Sequence, residues 1–163
     1  MKDGLFRILY KYFLKTGMSE NLALYLNLII WLVGILLFVW LLDLIILKVL
    51  RALSVRIARK SKTNLDDFLV AHRVPSYVAH IFPLILLFKF VPMAFIGFDY
   101  AGVLVLKILH ILFVLLALTL VKRMFRSTAD YLKTKSRFHD KPIDSYIQVF
   151  MIFAWIVGVM AVF

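Results

Sequence analysis

Several ionisable side chains interrupt long apolar stretches of this sequence, and they are the first places to look for chemistry. Four of them are the candidate intramembrane polar residues Asp43, His80, Lys89 and Lys107. An ionised group among apolar residues is costly to place in a bilayer and is by default a functional candidate. The four are spread over three apolar stretches and do not converge. An intramembrane enzyme or transporter built on them is therefore the least favoured of three functional hypotheses.

Asp43 and His80 are the two members of this set that can meet. Each lies about four residues, or roughly 6 Å, from the same end of its predicted helix. They pair if the two helices are neighbours. Otherwise each side chain reaches the headgroup layer by itself, Asp43 near Arg51, since polar side chains close to helix ends extend to the interface. The sequence leaves both alternatives open.

Lys89 and Lys107 lie deeper, roughly 12 Å and 9 Å from the turn that joins their predicted helices. Two cations in one hairpin repel each other unless they point apart or are neutralised by Asp99 or by lipid phosphates. Either their long side chains extend to the outer headgroup layer, or they line a water-filled path. Their spacing does not decide between these alternatives.

No cofactor or metal site is expected. The sequence contains no cysteine, which excludes disulfides, thiolate zinc sites and iron–sulfur clusters. Its four histidines form no HExxH motif, and nucleophile elbows, Walker loops and GxGxxG sequences are absent. Paired histidines ligate haem in membrane cytochromes, but His80 and His110 differ in predicted depth by roughly 10 Å, too far for two axial ligands of one haem. We therefore predict that the protein is not an enzyme.

The composition is that of a membrane protein. Of the 163 residues, 64% are apolar or aromatic and 18% are charged, whereas soluble domains have about 45–50% and about 25%. The net charge of +11 would suit a nucleic-acid-binding protein, but the cations lie between the apolar stretches and form no continuous face. The composition therefore excludes an ordinary soluble domain, and no nucleic-acid partner is expected.

The apolar stretches predict an all-α membrane protein with four transmembrane helices plus an N-terminal amphipathic interfacial helix. Residues 1–20 form the interfacial helix, whose basic stripe of Arg7, Lys11 and Lys15 would face lipid phosphates. A signal peptide is rejected because no small-residue cleavage site follows. Residues 21–163 form the transmembrane helical domain, since about 20 apolar residues cross a hydrocarbon core. The four predicted spans are about 22–47, 76–98, 101–121 and 145–163.

Two basic connectors, 48–73 and 122–141, follow the first and third predicted spans. Each contains seven Lys or Arg residues, against four in the N-terminal segment and none in the 98–100 turn. The positive-inside rule places both connectors in the cytoplasm and both chain termini outside. There the connectors would bind membrane lipids, especially anionic lipids of the inner leaflet. The predicted headgroup contacts are Arg51, Arg56, Arg59, Lys60, Lys122, Arg123 and Arg126.

A sequence typical of a capping box marks the start of a short helix inside the first connector. Thr63 would be its N-cap, with Asp66 as the third helical residue. Asp66 and Asp67 either compensate the helix dipole or form salt links with the cations of the connector. Pro75 favours a further helix start, because proline suits the first turn of a helix.

Two segments of the connectors resemble motifs of the small-conductance mechanosensitive channel (MscS-like) family. Lys62–Val70, KTNLDDFLV, is similar to the TxxDDxL stretch of that family, and Lys141–Val149, KPIDSYIQV, is similar to its (K/R)PIxxYxQ stretch. The resemblance is to the N-terminal transmembrane region of the miniconductance-type branch. Leu65 departs from the aromatic residue expected there, and Asp144 with Ser145 departs from a Lys-Gly type pair. The matching residues are Thr63, Asp66, Asp67, Leu69, Pro142, Ile143, Tyr146 and Gln148.

The resemblance implies the tension-sensing portion of a mechanosensitive ion channel, which releases osmotic stress across the bacterial cytoplasmic (inner) membrane. It also implies a homo-oligomeric ring, a heptamer in this family, if the pore region is present. In the family a Gly/Ala-rich pore helix and a cytoplasmic β-domain follow the second motif, so we expect this sequence, which ends at Phe163, to be a fragment that lacks both. The remaining hypothesis is a stand-alone small integral membrane anchor or accessory subunit that binds anionic lipid or a partner through its basic connectors.

Overall fold

A computed structural model describes residues 6–60, 65–134 and 142–162, apart from the side chains of residues 58–60. Helices account for almost all of this part of the chain, and no strand occurs within the described ranges. The helices are α1 (Ile8–Lys15), α2 (Glu20–Lys60), α3 (Leu65–Ala71), α4 (Val74–Ala94), α5 (Asp99–Lys133) and α6 (Ile143–Val162).

Four of these helices, α2, α4, α5 and α6, are long and apolar enough to cross a membrane. Only a small part of each apolar segment is buried inside the protein, so most of the large apolar side chains face outward, as contact with lipid tails requires. The short amphipathic helix α1 precedes them. The predicted fold class is therefore confirmed, and the chain is an all-α, multi-pass membrane protein.

Two of the transmembrane helices continue well beyond the predicted spans. The first span was predicted to end near residue 47, but α2 continues to Lys60, and α5 continues past residue 121 to Lys133. The charged residues end the apolar stretch without ending the helix, because Lys, Arg, Leu and Ala all have high helix propensity. Much of both predicted connectors is therefore regular helix.

The turn between α4 and α5 depends on a glycine. α4 ends at Ala94, before the predicted limit of 98. Gly97 adopts φ 94°, a left-handed conformation that favours glycine and ends helices. The Phe98 N–H donates to the Phe95 carbonyl at 2.9 Å, which closes the turn directly before α5.

The chain divides into two compact units, of which the first comprises Met1–Leu42 and Pro83–Leu109. Its core is built from α2, α4 and the start of α5, with Phe6 packing against Trp31 at 4.4 Å between ring centroids. This contact attaches the N-terminal segment to α2. The buried core residues are Phe6, Ile35, Val39, Val91, Ala94, Phe95 and Leu109.

Tyr10 links α1 to the start of α2 in the same unit. Its hydroxyl donates to Glu20 Oε1 at 3.2 Å. Desolvation raises the pKa of the Tyr10 phenol above its ordinary value of 10.0, and the hydrogen bond and the negative charge of Glu20 raise it further, against a smaller opposing effect of Arg7. The interfacial helix is therefore held to the bundle by a polar contact as well as by Phe6.

The second unit comprises Asp43–Phe82 and His110–Phe163. In it, α3 leads into α4 through Arg73, a non-glycine residue with φ 57°. α5 packs closely against α6 at Gly158, where an added Cβ would lie 2.8 Å from Leu118 Cδ1. Phe125 and Phe150 extend this contact, with ring centroids 4.4 Å apart.

Candidate functional site

The structure brings Asp43 and His80 together in the second unit. His80 Nδ1 lies 2.7 Å from Asp43 Oδ1, so this contact joins α2 to α4. The two side chains are 22% and 42% exposed. A carboxylate that contacts one ring nitrogen fixes the orientation of the imidazole. The pair therefore provides a polar contact between two membrane helices.

Lys89 and Lys107 both belong to the first unit and are exposed, and neither points into its core. Each precedes a buried residue, Val91 or Leu109, by two positions, which places it about 200° away around the helix axis. Both cations therefore project from the outward surfaces of their helices. This placement favours extension to the headgroup layer over a water path through the core of the unit.

Arg123 is the centre of a polar cluster that sequence reasoning missed. Its Nη1 donates to the His72 carbonyl and its Nη2 to the Tyr77 hydroxyl, each at 2.9 Å. Its guanidinium carbon also lies 4.2 Å from the centroid of the Tyr77 ring, in a cation–π contact. The sequence predicted a lipid headgroup contact for Arg123, and in the structure its guanidinium also donates to two protein groups.

A second contact ties the α3–α4 corner to α5. His72 Nε2 lies 2.8 Å from Asp130 Oδ2, and Asp130 is two helical turns from Arg123 on the same side of α5. The ring of Phe68 packs edge-on against Tyr131 nearby. The seven-residue spacing of Arg123 and Asp130 was the only sequence signal for this cluster, because His72 and Tyr77 lie in a different segment of the chain.

Asp144 forms a contact with Lys133. Lys133 Nζ donates to both carboxylate oxygens of Asp144, at 2.8 and 2.7 Å. The contact joins the end of α5 to the first turn of α6. This ion pair therefore connects residues on either side of the 135–141 segment.

The matched motif residues cluster at two helix starts in the second unit. Asp66 and Asp67 lie in the first turn of α3, where negative charge compensates the helix dipole. No ion pair of either carboxylate with a described cation is present, and the neighbouring cations Arg59, Lys60 and Lys62 lie outside the described side chains. Pro142 directly precedes α6, which begins at Ile143. The predicted N-cap Thr63, with the neighbouring motif residues Lys62, Asn64 and Lys141, lies outside the described residues.

The other motif residues differ in exposure. Leu69 is half-buried in a cleft between α2 and α3, together with Asp66 and Ser54. Tyr146 is 71% exposed, and Gln148 lines a cleft between α5 and α6. Some residues of the two motif-like segments therefore pack between helices, and others are exposed on the surface.

The remaining predicted headgroup contacts project outward. Arg51 and Arg56 are exposed on the basic extension of α2, beside Lys48. Lys122 and Arg126 are exposed on the basic extension of α5. All of these cations are available to an external anion, whereas the side chains of Arg59 and Lys60 lie outside the described residues.

Comparisons with models of protein families, with curated proteins and with solved structures found no match. The residues of this chain and their contacts are therefore the basis for assigning a function. Within the described part of the chain, no three His, Asp or Glu side chains converge as a metal site would require.

Proposed function

We propose that this chain is the tension-sensing membrane region of a mechanosensitive ion channel that releases osmotic stress, similar to the MscS-like family. The observation that carries the proposal is the position of the two motif-like segments. The TxxDDxL-like segment contains the start of α3, and the PIxxYxQ-like segment contains the start of α6. Both lie in the same compact unit. The first follows the end of α2 and the second begins α6, so a change in the tilt of either transmembrane helix would be transmitted through them to a neighbouring pore.

The proposed mechanism follows from the balance between lipid contact and polar contacts. Membrane tension favours whichever conformation occupies the larger area in the bilayer plane, so it shifts the equilibrium between two states that differ in area. The apolar surfaces of α2, α5 and α6 are largely exposed to lipid and therefore follow a change of bilayer thickness. The Asp43–His80 contact and the Arg123 cluster oppose separation of the helices that they join.

The orientation is part of the proposal. We assign the basic extensions of α2 and α5 to the cytoplasmic side of a bacterial inner membrane, because Lys and Arg concentrate there. With four spans, both chain termini then face outward. Because the chain contains no cysteine, a single Leu53→Cys variant tests this directly in intact cells. A membrane-impermeant maleimide should label Leu53→Cys only after the cells are opened, and labelling of intact cells would contradict the orientation.

Tension sensitivity can be measured with spin labels on the same cysteine-free background. One label pair joins exposed positions of α2 and α6, Leu53 and Val149, and the matched control pair, Ile45 and Ile57, lies within α2. Lysophosphatidylcholine added to one leaflet of liposomes creates tension. The Leu53–Val149 distance distribution should shift by several ångströms while the control pair stays constant. An unchanged α2–α6 distance would contradict the proposed function.

The second candidate is a stand-alone membrane anchor or accessory subunit. The outward cations of the two basic extensions favour it, because they can bind lipid or an acidic partner without any change of helix tilt. The spin-label experiment separates the candidates. An anchor would keep both label distances under tension, and a tension sensor would change only the distance between helices.

A further inference from the structure

We propose that the cleft between α5 and α6 in the second unit is a binding site for a phosphate group. The cleft has a volume of about 600 Å³, and its walls include Lys122 and Arg126 on α5 and Gln148, Met151 and Trp155 on α6. This size is within the range of small-molecule sites, about 300–1,000 Å³. The proposal concerns one defined site and does not depend on tension sensing.

The cleft carries two cations that no described carboxylate neutralises. Lys122 and Arg126 are four residues apart on α5, so they lie on adjacent turns of the same helix face. Both are exposed, and neither forms an ion pair with a described carboxylate. The acidic residue on the wall of the cleft is Asp144, and Lys133 already donates to both of its oxygens. An external anion is therefore the partner that these two side chains can bind.

An adjoining recess adds to the positive charge. It has a volume of about 230 Å³, and Lys122, Arg126, Met151 and Trp155 line it as well as the main cleft. Arg123 also lies on its wall, in a position held by the His72 carbonyl and the Tyr77 hydroxyl. Three arginine or lysine side chains therefore line the cleft and the recess beside it, and two hydrogen bonds hold one of them, Arg123, in position.

The chemistry of the walls selects a phosphate attached to an apolar or amphipathic group. Arginine offers a planar pair of N–H donors to phosphate oxygens, and lysine adds a point charge. The Gln148 amide supplies a further donor. Met151, Ile152 and Trp155 provide an apolar floor, and tryptophan is enriched at membrane interfaces, where one side of the ring contacts lipid and its N–H contacts polar groups. A phospholipid headgroup and a free phosphate ester share this chemistry.

Trp155 serves as the reporter of binding. The chain contains three tryptophans, so the Trp31→Phe/Trp40→Phe variant leaves Trp155 as the single tryptophan, which is excited selectively at 295 nm. This protein is reconstituted into phosphatidylcholine vesicles that contain increasing fractions of brominated phosphatidylglycerol or brominated phosphatidylcholine. Bromine quenches tryptophan only at short range. We expect Trp155 to be quenched at lower fractions of the anionic lipid than of the neutral one.

The Lys122→Gln/Arg126→Gln variant should lose this preference. Each cation near an anionic lipid strengthens binding about fivefold, so the loss of two should weaken the apparent affinity roughly tenfold to thirtyfold. Lys48→Gln/Arg51→Gln is the matched control, because it removes two exposed cations of α2 outside the cleft. Lys122→Arg/Arg126→Lys preserves the charge and should keep the preference, and circular dichroism verifies the helical content of each variant.

Soluble ligands distinguish the two sources of phosphate. Inorganic phosphate and glycerol 3-phosphate are added to vesicles of pure phosphatidylcholine. If they change Trp155 emission in the parent protein but not in Lys122→Gln/Arg126→Gln, the site binds a free phosphate ester. If only brominated phosphatidylglycerol responds in this way, the site binds a lipid headgroup. The proposal would be overturned if Trp155 emission responded equally in the parent protein and in Lys122→Gln/Arg126→Gln. It would also be overturned if Lys48→Gln/Arg51→Gln lost the preference for the anionic lipid to the same extent.

Discussion

His80 Nδ1 lies 2.7 Å from Asp43 Oδ1, and this contact joins α4 to α2 within the membrane-spanning part of the second unit. The two residues are 37 positions apart in the chain, and neither belongs to a recognisable motif. Each of these ionisable side chains is costly to place alone in a bilayer, and the contact gives each one a polar partner. The contact stabilises one arrangement of two helices whose other contacts are mostly apolar, so it is the natural first target for mutation.

Asp43→Ala should destabilise the protein by about 1 kcal/mol, because it leaves His80 without its hydrogen-bond partner in an apolar environment. The expected loss of stability is small because the side chains of Asp43 and His80 are 22% and 42% exposed. Thermal or denaturant unfolding in detergent measures the change. His80→Ala should cost a similar amount, and the double variant Asp43→Ala/His80→Ala should cost less than the sum of the two. Strictly additive losses would show that the contact contributes nothing.

Arg123→Lys should lower the unfolding temperature almost as much as Arg123→Gln. Lysine keeps the charge but cannot donate to the His72 carbonyl and the Tyr77 hydroxyl at once, and it stacks less well on the ring. We expect a loss of about 1–3 kcal/mol, since a part-buried hydrogen-bonded group loses its partners. Arg126→Lys is the matched control on the next turn of α5, and its stability should stay unchanged. Full stability of Arg123→Lys would mean that charge alone matters here.

Gly158→Ala should separate α5 from α6. The added Cβ would lie 2.8 Å from Leu118 Cδ1 and 3.2 Å from Val114 Cγ1, so side chains must move, at a cost of about 1–3 kcal/mol. Gly34→Ala is the matched control, because nothing lies within 4 Å of its Cβ position. There alanine should be neutral or stabilising by about 0.5–1 kcal/mol through its higher helix propensity.

Leu118→Ala tests the same contact from the other side. Combined with Gly158→Ala it removes the atom that the new Cβ would meet, so the double variant should recover part of the stability that Gly158→Ala alone loses. Unfolding in detergent again provides the measurement. If both glycine variants behave alike, the close approach of α5 to α6 at Gly158 is not important for stability.

The attachment of α1 to α2 should depend on pH in the alkaline range. Because the pKa of Tyr10 is raised in the folded protein, the neutral phenol is the form that folding favours. The contact with Glu20 is therefore fully present below about pH 10, the ordinary value, and is lost as the pH rises through the raised pKa. Absorbance at 295 nm, with Tyr10→Phe subtracted, follows this ionisation. Glu20→Gln should lower the pKa of Tyr10 towards its ordinary value, and an unchanged pKa would contradict a role for this carboxylate.

The sequence by itself determined the number and type of the elements. Four apolar stretches of about 20 residues have no stable place except a bilayer, and a helix is the conformation that satisfies their backbone groups there. The starts of α3 and α6 were also predictable, because acidic residues after Thr63 and a proline at position 142 are typical of helix N-termini. The extents of α2 and α5 were not, since basic residues continue a helix as readily as they end an apolar span.

The tertiary structure alone decided which side chains meet. Residue spacing predicted that Asp43 and His80 lie at similar depth, but it contains no information on which helices are neighbours or how each is rotated about its axis. The same is true of Arg123, whose partners lie at the α3–α4 corner, and of Lys89 and Lys107, which project away from the core of their unit. The depth of a residue in the bilayer follows from its position along one helix. Which side chains contact each other depends on how several helices pack together.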